Sequence, residues 1–200
     1  TEPPVPLSGT AVLSAAMADA WQRGGPASPL SWSLECHGHH VREVRCGLLA
    51  DGVAVPGRNL YQPARMPSME ELLLAHDREY VDRFRHGALD EKATRKIGLP
   101  WSEALVERTL AEVAGTILAA DLALAAGLAV SCAGGTHHAH RDHGSGYCIF
   151  NDLAIAAKRV VARKAVDRVL IIDLDVHQGD GTARILEHDD SVFTLSVHSP

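Results

Sequence analysis

Two carboxylates and an imidazole occupy alternate positions near the end of an apolar run in residues 168–180, R-V-L-I-I-D-L-D-V-H-Q-G-D. The apolar residues around them are typical of a strand that is buried on both faces of a parallel sheet. Because strand side chains alternate between faces, Asp173, Asp175 and His177 are predicted to point the same way. Buried ionised carboxylates are costly unless a cation or dense hydrogen bonding compensates them. A bound metal ion is the simplest explanation of the pattern.

A second group of reactive side chains, His137 and His138, follows two glycines and a threonine. Glycines let the backbone turn tightly, so both imidazoles can face one cavity. An imidazole whose pKa is near neutral can take a proton from a metal-activated water and return one to a leaving amine. Asp173 and Asp180 could orient the two rings by accepting their second N–H groups.

Asp175 and His177 are ligand types of a hydrolytic zinc site, which usually has three protein ligands and an open position for water. Each motif alone also has an ordinary interpretation. Tandem histidines occur in loops without function, and a D-x-D on a strand is often a magnesium or structural site. Their occurrence after two strands of one predicted sheet favours a shared site, because ligand crevices of parallel sheets lie at the strand carboxyl ends.

The elements that would position these residues follow a strand–helix–strand pattern, which predicts an α/β fold with a parallel, helix-covered sheet. Residues 90–99 are polar and are predicted to form a loop. The predicted elements are a helix capped by Ser68, a long helix from Ser102 to Gly127, strands at 128–133, 168–176 and 192–197, a helix from Asn151 or Asp152 to about Arg163, and a short helix at 181–187.

Composition limits the function classes. The 200 residues are 46% hydrophobic and 22% charged, which fits one globular domain with an ample core. A net charge of −6 argues against direct nucleic-acid binding. The four cysteines show no C-x-x-C spacing, so a reducing cytoplasm is the expected location. No uninterrupted apolar run approaches the roughly 20 residues of a membrane span, so no membrane partner is expected.

Three ordered motifs resemble the zinc-dependent histone deacetylase superfamily, which includes acetylpolyamine amidohydrolases and acetoin-utilisation proteins. They are G-G-T-H-H-A at 134–139, G-S-G-Y-C-I-F-N-D at 144–152 and I-D-L-D-V-H-Q-G-D-G-T at 172–182. The resemblance is closest to the class IV-like and bacterial branch. It covers residues 58–200, interpreted as the N-terminal two-thirds of a catalytic domain, and leaves residues 1–57 unassigned.

The resemblance implies an arginase-like three-layer α/β/α fold, incomplete in this chain, and Zn²⁺-dependent hydrolysis of an acetylated lysine side chain, polyamine or small acylated amine. By position, Asp175 and His177 would be zinc ligands, and His137 and His138 the general acid/base pair. Asp173 would pair with His137, and Asp180 with His138. Gly146 and Tyr147 would line the acyl-lysine tunnel. A K⁺ site would involve Asp173, Asp175, His177, Ser196 and Val197, partly through backbone carbonyls.

In that family, the third zinc ligand and a transition-state tyrosine lie beyond the position that matches Pro200. Two alternatives therefore stay open. The chain could be a catalytically inactive truncated remnant that binds metal or an acetylated ligand. It could also be a ureohydrolase-like enzyme with two manganese ions, although that branch has an Asp where this chain has Gly179. The substrate and the oligomeric state are not determined, and an unpaired sheet edge predicts self-association of residues 1–200 alone.

Overall fold

The computed structural model describes residues 11–13, 47–56 and 58–200, in which helices and strands alternate as predicted for an α/β protein. Residues 47–50 form one helical turn. In chain order the elements are β1 (Ala11–Leu13), α1 (Met69–Leu72), α2 (Arg78–Arg85), α3 (Glu91–Ile97), α4 (Glu103–Ala126), β2 (Leu128–Val130), α5 (Asp152–Ala162), β3 (Val169–Asp173), α6 (Asp180–Leu186) and β4 (Val192–Ser196).

The strands form two parallel pairs, β1 with β2 and β3 with β4. The register of the second pair aligns Val169 with Val192 and Asp173 with Ser196. Within the described part of the chain no strand ladder joins the two pairs. The parallel sheet predicted from the sequence is therefore present as two separate pieces, and the segments that follow β2 and β3 both contribute to the candidate site.

Helix ends follow the capping residues that the sequence predicts. Ser68 and Glu71 form a reciprocal capping box at the start of α1. The Ser102 side chain accepts a hydrogen bond from the Leu105 N–H at the start of α4. That helix ends at Gly127, whose φ of +86° is the left-handed conformation that glycine adopts without strain. The long predicted helix is thus confirmed at both ends.

The prediction of a loop at residues 90–99 is wrong, because α3 occupies most of that segment. The Asp90 side chain accepts a hydrogen bond from the Ala93 N–H at 2.7 Å, and Gly98 ends the helix with a φ of +85°. Only Ile97 of this helix is buried, so the apolar periodicity that marks longer helices is missing. The capping residues Asp90 and Gly98 were the signal in the sequence that could have identified this helix.

The core lies between α4, α5 and α2, with the inner face of β3 beneath them. Val113 and Ile117 of α4, Ile155 of α5, Phe84 of α2 and Ile171 of β3 are all buried in it. Helix α4 has the length and composition of a membrane span, with a mean hydropathy of 1.5 over its most apolar window. Its packing against α5 is the arrangement of a core helix in an α/β domain.

The predicted burial of the strand at 168–176 on both faces is wrong within the described part of the chain. Ile171 is buried, whereas Leu170 and Ile172 are 57% and 55% exposed. The partner strand continues this exposed face with Phe193 and Leu195. Helix α5 packs on one face of the pair, and the described residues place no second layer on the other. Strand β3 also ends at Asp173, three residues earlier than predicted.

Candidate active site

His137 and Asp173 form the most buried polar pair of the site. His137 Nδ1 lies 2.6 Å from Asp173 Oδ2, and the two side chains are only 7% and 11% exposed. Burial alone would lower the pKa of His137, but the hydrogen bond and the negative charge of Asp173 outweigh it and raise that pKa. Burial alone would raise the pKa of Asp173, but the hydrogen bond from His137 helps to lower it. The pair therefore favours a proton on Nδ1 and an ionised carboxylate.

His138 and Asp180 form a second pair of the same kind, closer to solvent. His138 Nδ1 lies 2.7 Å from Asp180 Oδ1, and Asp180 is the first residue of α6. Burial tends to raise the pKa of Asp180, but the hydrogen bond from His138 contributes to a net lowering. The rings of His137 and His138 are 4.0 Å apart between centroids. Two imidazoles with separate carboxylate partners thus lie side by side.

Asp175 and His177 lie in the irregular segment after β3 and not on the strand itself. Asp175 Oδ1 accepts a hydrogen bond from the His177 backbone N–H at 2.7 Å and is 3.0 Å from His177 Nδ1. The same oxygen is 3.8 Å from His137 Nε2. The predicted clustering of these side chains is therefore present, although the turn after β3 produces it and strand alternation does not.

The described residues contain no group of three or more His, Cys, Asp or Glu side chains arranged to hold a metal ion. Asp175 and His177 offer two atoms of ligand type that face each other at 3.0 Å. In a tetrahedral zinc site with bonds near 2.0–2.1 Å, two ligand atoms are about 3.3 Å apart. The donor types therefore fit two of the three protein ligands that such a site needs, whereas the 3.0 Å spacing is also that of the hydrogen bond between them.

The residues predicted to bind potassium lie together at the ends of β3 and β4. Asp173 and Ser196 are register partners, and the Val197 N–H donates to the Asp173 backbone oxygen at 2.9 Å. Ser196 Oγ accepts a hydrogen bond from the Gly179 N–H at 3.2 Å and lies 2.9 Å from His198 Nδ1. The structure brings these residues together, and the potassium assignment stays a prediction.

Gly146 and Tyr147 lie beside the second histidine. A Cβ atom at Gly146 would be 2.9 Å from His138 Cδ2, so glycine is needed for this close approach. The Tyr147 N–H donates to the Ile97 backbone oxygen at 2.8 Å, and its ring lies against Gly98. The Tyr147 side chain is 66% exposed. Gly146 therefore borders the site and Tyr147 follows it directly in the chain, and the role of both residues in a substrate tunnel stays a prediction.

Asp152 anchors residues 134–140, called the histidine loop because they carry His137, His138 and His140. The sequence analysis missed this role. Its fully buried carboxylate accepts hydrogen bonds from the Gly135 N–H at 2.9 Å and the Thr136 N–H at 2.8 Å. The Thr116 and Thr136 hydroxyls donate to it as well. A Cβ at Gly134 would be 2.2 Å from one carboxylate oxygen, which explains the glycine there. The available signal was the N-D pair of the second motif, which was interpreted only as a helix cap.

His76 also holds this loop, and the sequence analysis missed this role as well. Its Nδ1 lies 2.9 Å from the His140 backbone oxygen, and its Nε2 accepts a hydrogen bond from the Asn151 N–H at 2.8 Å. Nε2 must therefore be the unprotonated nitrogen, and Nδ1–H donates to the carbonyl. Burial lowers the pKa of His76 to about 4. A neutral imidazole thus joins the segment before α2 to His140, in the loop that carries the two histidines, and to Asn151, in the second motif.

Comparison with known proteins agrees with this geometry. Residues 39–200 match the family described as histone deacetylase domain. The chain is 54% identical over 151 residues to an uncharacterized protein of Picosynechococcus sp., covering 76% of this chain and 50% of that protein. It is 35% identical over 161 residues to the acetoin utilization protein AcuC of Staphylococcus aureus, covering 76% of this chain and 41% of AcuC.

A crystal structure of a histone deacetylase homologue in complex with SAHA superposes on this chain with a TM-score of 0.63 and 27% identity. The superposition covers 76% of this chain and 42% of the other. The predicted fold class is thereby confirmed. The chain spans half or less of the length of these relatives.

Proposed function

The chain belongs to the histone deacetylase family, and on that premise we propose that the protein is a zinc-dependent amidohydrolase that removes acetyl groups from acetylated lysine or a related acetylated amine. The observation that carries the proposal is the pair His137 and His138, each joined through Nδ1 to its own carboxylate. This leaves Nε2 of each ring for the reacting atoms, as a general base and a general acid require.

Asp175 and His177 are the residues that would hold the zinc ion, because their ligand atoms face each other beside His137. Zinc at this position would supply Lewis-acid chemistry, polarising the acetyl carbonyl and lowering the pKa of a water molecule. A third protein ligand is expected from a part of the full-length protein other than the described residues.

The proton transfers follow from the two histidine–carboxylate pairs. His137 would take a proton at Nε2 as the water oxygen bonds to the acetyl carbon, and Asp173 would stabilise the resulting imidazolium. His138 would enter this step with Nε2 protonated from solvent and would deliver that proton to the amine nitrogen as the C–N bond breaks, releasing the free amine and acetic acid, which ionises to acetate. Asp180 would stabilise His138 while that ring carries the proton. Such positioned proton transfer typically contributes about 10²–10⁴ in rate.

The substrate class in this proposal is an acetylated amine at the end of a slender chain: an acetyl-lysine side chain, an acetylpolyamine or a small acylated amine. Gly146 supports it, because it lies close to the His138 ring, and together with its neighbour Tyr147 it would form one wall beside the reacting amide. A K⁺ ion held by Asp173, Ser196 and the Val197 carbonyl would compensate part of the negative charge next to the zinc. A cytoplasmic location and the lack of membrane or direct nucleic-acid partners remain predictions.

One observation favours an inactive remnant for the polypeptide of residues 1–200 alone. Among its described residues no group of three His, Cys, Asp or Glu side chains could hold a metal ion, so Asp175 and His177 would lack a third protein ligand there. The glycine at position 179 argues against a dimanganese enzyme. A Cβ on Gly179 would lie 2.2 Å from Asp173 Oδ2, so there is no room for the second metal-binding carboxylate that such an enzyme needs there.

The test is deacetylation by the full-length protein of an acetyl-lysine peptide and of acetylspermidine, with bound zinc measured by elemental analysis. We expect turnover that a chelator abolishes, a loss of about 10²–10⁴ in kcat for His138→Ala, and loss of zinc for Asp175→Ala. His188→Ala is the matched control, because this histidine side chain is 90% exposed on the surface near the end of α6. Zinc-loaded full-length protein that hydrolyses neither substrate would contradict the proposal.

A further inference from the structure

Asp180 is shared between two histidines, His138 and His140. Oδ1 accepts from His138 Nδ1 at 2.7 Å and from the Gly181 N–H at 2.9 Å. Oδ2 lies 3.4 Å from Nε2 of His140, two residues further along the same loop. The carboxylate that orients His138 therefore has a separate partner on each oxygen.

The backbone and ring of His140 are held by neighbours that aim Nε2 at Asp180. The ring is stacked on His143, with centroids 4.4 Å apart and an interplanar angle of 14°. The His140 N–H donates to the His143 backbone oxygen at 2.9 Å, and the His140 carbonyl accepts from His76 at 2.9 Å. His143 is itself fixed by Asp142, at 2.6 Å from Nδ1. The position and orientation of His140 are thus fixed by contacts that do not involve Asp180.

The two active-site carboxylates differ in how they are fixed. Asp173 is 11% exposed, and its Oδ1 accepts a hydrogen bond from the Asp175 N–H at 3.0 Å. Asp180 is 49% exposed, and on its second oxygen His140 takes the place of such a backbone donor. A half-exposed carboxylate can rotate about its side-chain bonds and exchange partners with water unless both oxygens are occupied. His140 supplies that second contact.

We propose that His140 is a positioning residue, which donates Nε2–H to Asp180 Oδ2 and so keeps Oδ1 on His138 Nδ1–H. The consequence is that the Nδ1 proton of His138 stays hydrogen-bonded to Asp180, so Nε2 is the nitrogen that gains and loses the catalytic proton, and the neutral ring has a single tautomer with Nε2 unprotonated. Its effect on turnover rests on the deacetylase function proposed above, whereas its effect on the tautomer does not.

Two matched variants of the full-length, zinc-loaded protein separate this role from simple packing. His140→Phe keeps a ring that can stack on His143 and removes the donor. His140→Gln keeps a donor and removes the ring. We expect His140→Phe to lower kcat by about tenfold, as the loss of one hydrogen bond to a charged group does, with KM changed less than about twofold. His140→Gln should retain most of the wild-type kcat. If His140 acted only by stacking on His143, kcat would fall more in His140→Gln than in His140→Phe.

The second readout is the tautomer of His138, measured by long-range ¹H–¹⁵N imidazole correlations at a pH where the ring is neutral. We expect the Nδ1–H form alone in wild-type protein and in His140→Gln, and an added Nε2–H population in His140→Phe. An unchanged tautomer in His140→Phe would overturn the proposal even if the wild-type protein deacetylates. A changed tautomer in a protein without turnover would uphold it and count against the deacetylase function instead.

Discussion

Asp173 Oδ2 lies 2.6 Å from His137 Nδ1, although the two residues are 36 positions apart in the chain. His137 follows β2 and Asp173 ends β3, and these strands belong to different parallel pairs. This contact joins the segment after β2 to the end of β3. Gly179 lies directly against it, because a Cβ there would be 2.2 Å from the same Asp173 oxygen and 3.5 Å from His137 Nδ1. The pairing therefore depends on a third residue that has no side chain.

Gly179→Ala is expected to displace the Asp173 carboxylate and weaken its bond to His137. The φ of −75° at this position suits any residue, so the effect comes from the added methyl group and not from backbone strain. We expect a stability loss of about 1–3 kcal/mol, measured by urea unfolding, and at least about a tenfold fall in kcat. Gly115→Ala in α4 is the control, because its Cβ would meet only Ser131 Oγ at an ordinary 3.5 Å. Equal effects of the two substitutions would contradict this account.

Gly134→Ala is expected to break the hydrogen bonds between the histidine loop and Asp152. The φ of +96° is unfavourable for alanine, and the Cβ would lie 2.2 Å from the carboxylate and 2.7 Å from Thr116 Oγ1. Gly127→Ala shares the positive φ, at +86°, but its Cβ would meet nothing within 4 Å. The control should cost about 1–2 kcal/mol for the left-handed backbone alone, and Gly134→Ala at least about 2 kcal/mol more. Unfolding free energies from urea titration measure the difference, and similar costs would refute it.

His76 should make stability depend on pH in the weakly acidic range. Burial lowers its folded-state pKa to about 4 from 6.5, so the unfolded chain binds more protons between these values. Stability from this residue is therefore complete above pH 6.5 and is lost as the pH falls towards 4, by roughly 2 kcal/mol between pH 7 and pH 5. Unfolding curves at several pH values should show a shallower pH dependence for His76→Gln. Parallel pH profiles of the two proteins would exclude His76 as the source.

The exposed face of β3 and β4 should cause self-association of the polypeptide of residues 1–200. Leu170, Ile172, Phe193 and Leu195 form a contiguous apolar surface, since they are paired in register on two neighbouring strands. Size-exclusion chromatography with light scattering should show species larger than a monomer, and Ile172→Thr with Phe193→Thr should shift the profile towards monomer. Ile171→Thr, on the buried face, should instead destabilise the fold. A sharp monomeric peak for the unsubstituted polypeptide would disprove this expectation.

Local signals in the sequence predicted most of the elements. Ser68, Ser102 and Gly127 were identified as caps because their side chains, or the lack of one, act on backbone groups only a few residues away. Helix α3 was missed because it buries one residue and so lacks an apolar stripe. The residues of the candidate site were found through their types and their order in three motifs, which do not require knowledge of the fold.

The sequence by itself determined the α/β class, the family resemblance and the set of histidines and carboxylates, because these depend on residue type and short-range spacing. The resemblance already implied that Asp173 pairs with His137 and Asp180 with His138, but the contacts themselves depend on the tertiary structure, since His137 and Asp173 meet across two strand pairs. Only the tertiary structure decided the supporting roles of His76, Asp152 and His140, whose partners lie at distances along the chain that no local pattern encodes. Burial and long-range hydrogen bonds arise when the chain closes on itself, so they become visible only in the folded molecule.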